Sequence, residues 1–461
     1  MEVGSTRRWR SSGVWTGLLA TGVLVAAPAI VAAGQADASV TFTKDIAPIL
    51  QRSCQNCHRP GAMAPMSLLT YEEVRPWASA IKRRTSTRAM PPWFVERNIG
   101  IQKFKDDPSL TDAEITKIAT WVDSGAPRGN PADAPPPRQF LSGADWSIGT
   151  PDLVVSSPVR TIKAVEADFQ GDIGVSPTGL TEDRYIKAVE VREVRLSEKV
   201  VDERADTARA ALNISAIHHA TIGARTDFDP NSEFPESGSV NGAFNLVHEL
   251  GQNPTIYPDD LGIPLPANSF LTWRLHTHAN GKETRVRIDL GFKLHPKGYK
   301  PKHVLMAAGS LANHDLDLPA GDDNVRVDAF MVLLKHSRVV SFEPHMHASG
   351  KRMCLEAILP GGTRQTINCA AYDHNWVKVY QYEDDAAPLL PANTILHAIG
   401  WYDNSSKNPR NPEPRNWKGF GNRSIEDMMI SIGKYIALSD DEYKAEVAAR
   451  QAKRHRGSTA N

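Results

Sequence analysis

The chain changes texture at one proline-rich break, and that change limits what each side can become. Before the break, apolar residues recur at helical spacing. Thr43 to Gln51 forms one such run. Thr111-Asp112-Ala113-Glu114 reads as a capping box, followed by Ile115, Ile118, Trp121 and Val122 on one helical face and Gly125 as a stop. The break runs from Pro127-Arg128-Gly129-Asn130-Pro131 to Pro135-Pro136-Pro137, a linker by composition. From about Ser142, short runs rich in Val, Ile and Thr alternate with Gly, Pro, Asn and Asp, as at Phe270 to Leu275, Val286 to Phe292 and Arg326 to Leu334. That pattern predicts strands. Leu359-Pro360-Gly361-Gly362-Thr363 reads as a hairpin turn, and 32 prolines with 32 glycines suit a turn-dense β body. The β region divides loosely into two halves near Pro319-Ala320-Gly321-Asp322. After Leu438 the charged pattern predicts a peripheral helix.

At 461 residues the chain is too long for one ordinary domain. Its 53 basic and 53 acidic residues give no reason to invoke a nucleic-acid partner. Arg7, Arg8 and Arg10 precede an apolar run from about Val14 to Ala33, and Ala36-Asp37-Ala38 offers a small-residue cleavage site. Arg7-Arg8 is a poor twin-arginine signal, so residues 1–38 are expected to be a general secretory signal peptide. No later segment is long and apolar enough to span a bilayer. The expected mature protein is periplasmic or secreted, with no stable membrane insertion after cleavage.

Within the helical region lies Cys54-Gln55-Asn56-Cys57-His58. In an exported chain this spacing predicts covalent haem c, with both thiols as thioethers and His58 as an axial iron ligand. A zinc knuckle would need a second ligand pair nearby. A distal Met or His is expected as the sixth ligand. Met90, in Ala89-Met90-Pro91-Pro92-Trp93, sits in a loop that prolines would stiffen, whereas Met63 and Met66 would need a very tight return. Cys354 and Cys369 flank the hairpin turn and are expected to form a disulfide.

The β region carries His218-His219, His276-Thr277-His278, His345-Met346-His347 and Met428-Met429. Two His at i and i+2 share one face of a strand, which core packing does not demand. Imidazole suits copper, and thioether sulfur favours Cu(I). His345 and His347 with Met428 or Met429 fit a copper site that leaves positions open for oxygen. His218, His219 and one of His276 and His278 fit a copper that stores an electron. Adjacent histidines on a regular strand point to opposite faces, so the His218-His219 pair carries little weight alone.

In combination, Ile217-His218-His219-Ala220, Leu275 to Lys282, Pro344 to Lys351 and Glu426-Asp427-Met428-Met429 resemble the copper type II, ascorbate-dependent monooxygenases. That family includes peptidylglycine α-hydroxylating and dopamine β-monooxygenases. The likeness is closer to bacterial relatives with an N-terminal cytochrome c domain, and it extends over about residues 40 to 437. Asp373 to Trp376 and Tyr402-Asp403-Asn404-Ser405 also look like the bacterial pattern. The resemblance implies a small all-α cytochrome c domain (39–129), a Pro-rich linker (130–141), two all-β, jelly-roll-like sandwich copper domains (142–321 and 322–437) and a charged tail (438–461). The sandwiches would face each other across a solvent-filled cleft. One copper would fall on His218, His219 and His276, with His278 close by. The oxygen-binding copper would fall on His345, His347 and Met428.

Three positions depart from the peptide-hydroxylating pattern: Glu343 stands where an Arg is expected, and Ile430 and Ile432 replace an Asn and a Tyr that hold the substrate carboxylate. Without those donors a peptide carboxylate would be left unpaired. The expected activity is therefore hydroxylation of a C–H bond of a fairly apolar, non-peptide organic molecule by O2. Electrons would come from an ascorbate-like reductant or a periplasmic redox protein, with the haem passing them to the His218/His219/His276 copper. An electron-transfer or redox-sensing protein without oxygenase activity is the alternative. A copper-storage module would call for more Met or Cys ligands than the ten Met of this chain supply.

Overall fold

The computed structural model describes residues 40–60, 64, 66–140, 146–167, 169–199, 216–226, 244–249, 254–279, 281–307, 311–374, 376–421, 425–431 and 433–458. The expected signal peptide, Met63 and Ile432 lie outside these residues, as does the side chain of His218.

Helices Ala47–Ser53, Tyr71–Val74, Ala78–Ser86 and Asp112–Asp123 enclose a small core in which Ile46, Leu50, Val74, Ile118 and Trp121 are fully buried. Both the Thr111 and Thr70 N-caps form capping boxes, with Glu114 and Glu73 bonding back to the cap. Gly125 takes a positive φ just past the last helix, as a stop requires. Among the described residues no helix is long and apolar enough to cross a membrane.

The remainder is mostly β. A seven-stranded sheet centred on Glu283–Leu294 and Arg184–Lys199 shares one core with a four-stranded sheet ordered Phe169–Pro177, Phe270–Thr277, Ile217–Arg225, Asn245–Glu249. Trp273, Phe244 and Phe292 are buried there. In the second half, the sheet Val325–Leu333, Thr394–Tyr402, Gly350–Ile358, Arg364–Ala371 and the sheet Met306–Ala307, Lys434–Leu438, His336–Val339, Leu389–Leu390 lie around a second core. Residues 306–307 and 311–318, before the expected join at 321, pair and pack with this second half. Ile436 and Leu438 reach back into the first core, so the halves are fused through apolar contacts.

Cys354 and Cys369 stand directly opposite each other across paired strands and form the expected disulfide. The Asp440–Ser458 helix is tied down: Tyr443 stacks on His336 at 4.2 Å, and Glu446 pairs with Arg338 at 3.0 Å.

One feature departs from an all-α unit at 39–129. Residues 93–105, between the Ala78–Ser86 and Asp112–Asp123 helices, leave the helical core and bind along the outer strand Arg364–Ala371. Glu96 N–H donates to Cys369 O (2.8 Å), Ile101 N–H to Ile367 O (2.9 Å), and Ala371 N–H to Phe94 O (3.0 Å). Arg352 pairs with Glu96, and Trp93, Ile101 and Phe104 pack into the second core. An exposed sheet edge offers unpaired backbone groups, and this segment satisfies them. Gly100 makes the close approach possible: a Cβ there would lie 1.9 Å from the Ile367 carbonyl oxygen, and its φ is +61°.

Candidate metal centre

Cys54, Cys57 and His58 form a turn directly after the Ala47–Ser53 helix, with His58 N–H bonded to Cys54 O at 3.0 Å. The thiols are not joined to each other. Burial, then the neighbouring Cys57, pushes the Cys54 thiol up to about 12. Such a thiol is disfavoured as a thiolate. Burial also holds the His58 imidazole below its ordinary value. Its Nδ1 faces the Met66 carbonyl at 3.3 Å, which leaves Nε2 as the metal-facing nitrogen. These residues fit covalent haem. Met90 lines a cavity of about 190 Å³ with Arg88, Arg97 and Trp93, and the three haem-motif residues are not part of that lining.

His219 and His276 are cross-strand partners, and their rings meet edge to face at 4.8 Å. His278 continues the file at 4.5 Å from His276. The register shifts between Ile217 and His219, so strict alternation does not hold across His218.

The His345/His347 turn is built by a buried carboxylate. Asp427 accepts N–H bonds from His347 (2.7 Å), Met428 (2.9 Å) and Ser349 (3.0 Å). Burial pushes its carboxyl up, while the His347 ring and these amides pull it back. His345 pairs with Ile430, and the Tyr402 hydroxyl donates to Met428 O at 2.7 Å. His347 Nδ1 lies 3.1 Å from the Glu426 carbonyl, again turning Nε2 outward. Met429 is fully buried in the second core, whereas Met428 lies outside that cluster.

The two histidine sets adjoin. The rings of His219 and His345 are 6.4 Å apart, and those of His345 and His347 are 5.6 Å apart. The expected solvent-filled cleft between them is therefore corrected: packing across the joint closes the gap at these rings. Among the described residues no three His, Cys, Asp or Glu side chains are grouped so as to hold a metal ion. Neither expected set could supply three, since one is two His with a Met and the other includes the undescribed His218 side chain. The donor types and the outward Nε2 of His347 fit copper.

Three neighbours were not singled out as site residues by the sequence. His374 lies 5.7 Å from His347. Lys418 Nζ donates to Ser349 Oγ (2.8 Å) and Asn411 Oδ1 (2.7 Å) behind the same turn. His248 lies on the strand beside His219, paired with Ala220. Glu343 is 1 % exposed and is pushed up to about 7 by burial, with Lys434 acting against the rise. Tyr257 from the first half feels its charge, so Glu343 belongs to the joint between the halves. A groove of about 680 Å³ runs beside Glu426, lined by Leu316, Trp417, Phe420 and Ile425, and also by Asp315, Asp317 and Glu413.

The chain matches no described protein family and no curated protein. Among solved structures it is similar to a structure of infectious bursal disease virus, Gx strain, at 11 % identity over 62 % of this chain and 69 % of that one, with a TM-score of 0.16. The VP2 subviral particle of the same virus gives 9 % identity over 63 % and 72 %, with a TM-score of 0.18. At those scores the likeness carries no argument about fold or function.

Proposed function

We propose that this protein is a periplasmic or secreted monooxygenase with one covalent haem c and two copper ions, and that it hydroxylates a C–H bond of a fairly apolar, non-peptide small molecule with O2. The observation that supports the reading is the Asp427-held turn: its carboxylate binds the backbone of both His347 and Met428, and the His345 ring lies 6.4 Å from that of His219, the cross-strand partner of His276. The finer architecture belongs to the same reading: a cytochrome c domain at 39–129 and two jelly-roll-like copper sandwiches. Copper on these donors would supply one-electron chemistry toward O2, and the haem would relay electrons from an ascorbate-like reductant or a redox protein.

The balance is simple. The C–H bond, O2, two electrons and two protons give an alcohol and water. The residues divide the remaining work. His345, His347 and Met428 hold one copper; His218, His219 and His276 hold the other. Asp427 and Tyr402 fix the backbone on which the first set stands. Leu316, Trp417, Phe420 and Ile425 offer an apolar wall close to it, as a small-molecule groove requires.

The test is a screen of apolar small molecules under O2 and reductant, with mass spectrometry reading a gain of one oxygen. The reading expects such a product from the wild type and its loss in Met428→Ile. Oxygen consumption without any oxygenated product across the screen would favour the electron-transfer alternative. Full product formation by Met428→Ile would remove Met428 from the site.

A further inference from the structure

The Asp440–Ser458 helix is docked through charge more than through apolar burial. Its inward stripe is Glu442, Tyr443, Glu446, Val447 and Arg450, all half-buried, and none of its described side chains is fully buried. The spacing is that of one helical face, yet three of the five residues are charged. A docked helix ordinarily gains most of its stability from an apolar face. Here Tyr443 is the one described residue of the helix that packs against a core cluster. The charges reach three parts of the molecule. In the first half, Lys302 Nζ lies 2.8 Å from the Glu442 carboxylate and His303 Nε2 lies 3.7 Å from it. In the second half, Arg338 meets Glu446 at 3.0 Å, His336 Nε2 lies 3.4 Å from Asp440, and Tyr443 stacks on the His336 ring at 4.2 Å. Arg338 also lies 3.8 Å from Asp260 of the first half, as His303 does at 4.0 Å. Beyond these, Arg450 donates to the Asp384 and Ala387 carbonyls, and Lys453 meets Asp385 at 2.6 Å. The same two acids take Lys105 at 2.7 Å and Lys103 at 3.9 Å, from the segment that lies along the sheet edge. One charge network therefore joins the first half, the second half and residues 93–105.

We propose that this helix is a strap that braces the joint between the two halves, and that ionic strength sets whether the strap is docked. The inference goes beyond the metal reading and stands whether or not that reading holds. Ion pairs near the surface are weak one at a time and are screened by salt. At about 1 M salt the screening length falls to about 3 Å, comparable with the length of these pairs. Apolar contacts are not screened in this way, so the two β cores keep their packing while the strap loses its hold. A single stacked ring, Tyr443 on His336, is then left to resist release. Once undocked, a lone helix of 19 residues is marginal in water and frays, so its backbone amides report the docking directly. The brace acts on a sensitive place: the same joint sets the His219 ring 6.4 Å from that of His345.

The experiment is hydrogen–deuterium exchange of the full chain, read by mass spectrometry at one fixed pH in sodium chloride of about 0.01 M and about 1 M. At high salt, amides of residues 443–453 are expected to exchange at least about tenfold faster. The joint strands Leu261–Leu265 and His336–Val339 are expected to exchange faster as well, while the strand Thr394–Tyr402 inside the second core keeps its rate. Glu446→Gln with Arg450→Gln, both on the helix, leaves the body untouched and keeps helix propensity nearly constant. This variant is expected to show the fast exchange already at low salt. Tyr443→Ala, which removes the ring and no charge, is expected to remain docked at low salt and to release at high salt. Salt-independent exchange of the helix overturns the proposal, as does release by Tyr443→Ala alone at low salt. Equal acceleration of Thr394–Tyr402 would mean global unfolding and overturns it too. Joint strands that keep their rate after the helix has left overturn the bracing role.

Discussion

Replacing Asp427 tests the architecture of the site without touching a proposed ligand. Its carboxylate is fully buried and receives three backbone N–H bonds of 2.7, 2.9 and 3.0 Å from His347, Met428 and Ser349. It also offsets the charge of Lys418, which burial lowers in pKa and Asp427 raises. A hydrogen bond to a charged group contributes about 1.5–3 kcal/mol, and losses within one network are not additive. Asp427→Ala orphans all three amides and leaves a buried ammonium short of its counter-charge. The expected destabilisation is about 3–5 kcal/mol, a large fraction of a domain's net stability. Asp427→Asn keeps one acceptor oxygen for His347 and Met428 but turns an NH2 toward the Ser349 N–H. Its cost should be about 1.5–3 kcal/mol. Urea unfolding of the metal-free protein, followed by tryptophan fluorescence, measures both. An Asp427→Ala variant within about 0.5 kcal/mol of wild type, the range of ordinary surface substitutions, would refute the claim that this carboxylate builds the turn.

Other predictions follow from the same structure. The Cys354→Ser/Cys369→Ser pair, which opens a cross-link spanning 15 residues, should lose about 2–4 kcal/mol in denaturant unfolding. Gly100→Ala drives a Cβ to 1.9 Å from the Ile367 carbonyl oxygen and should release residues 93–105 from the sheet edge, read as faster limited proteolysis within that segment. Burial first, then Lys378, holds the His248 imidazole down to about 4 against an ordinary 6.5. Because the folded state binds this proton less tightly than the unfolded chain, the contribution is fully present above about pH 6.5. It is lost as pH falls through 4, by roughly 3 kcal/mol in all. His248→Gln should flatten that acid limb in unfolding midpoints measured between pH 7 and pH 4.

The parts legible in the sequence are those set by near neighbours. The Thr111 capping box and the Gly125 stop depend on contacts within a few residues, and the Cys354–Cys369 bridge follows from a hairpin whose turn is written at Gly361-Gly362. The illegible parts depend on distant partners. Residues 93–105 carry no alternating pattern, because they bond through backbone groups to an edge more than 250 residues away, as the Glu96–Arg352 pair shows. The register that makes His219 and His276 cross-strand partners depends on a bulge between Ile217 and His219 that the sequence does not mark. Asp427 stands in the Glu426-Asp427-Met428-Met429 segment, but its role became visible only with its burial against the His347 turn. The meeting of His219 with His345 arises from packing between the halves, which local periodicity does not encode.

The central claim is a copper site made by His345, His347 and Met428 next to a second copper site. X-ray absorption at the copper edge of the reduced, fully loaded protein tests it most directly, with haem and copper content measured on the same sample. The account predicts two copper ions and one haem per chain, and a sulfur contribution to the copper spectrum that disappears in Met428→Ile and persists in Met429→Ile. A spectrum of nitrogen donors alone, or one whose sulfur component survives Met428→Ile, would contradict it.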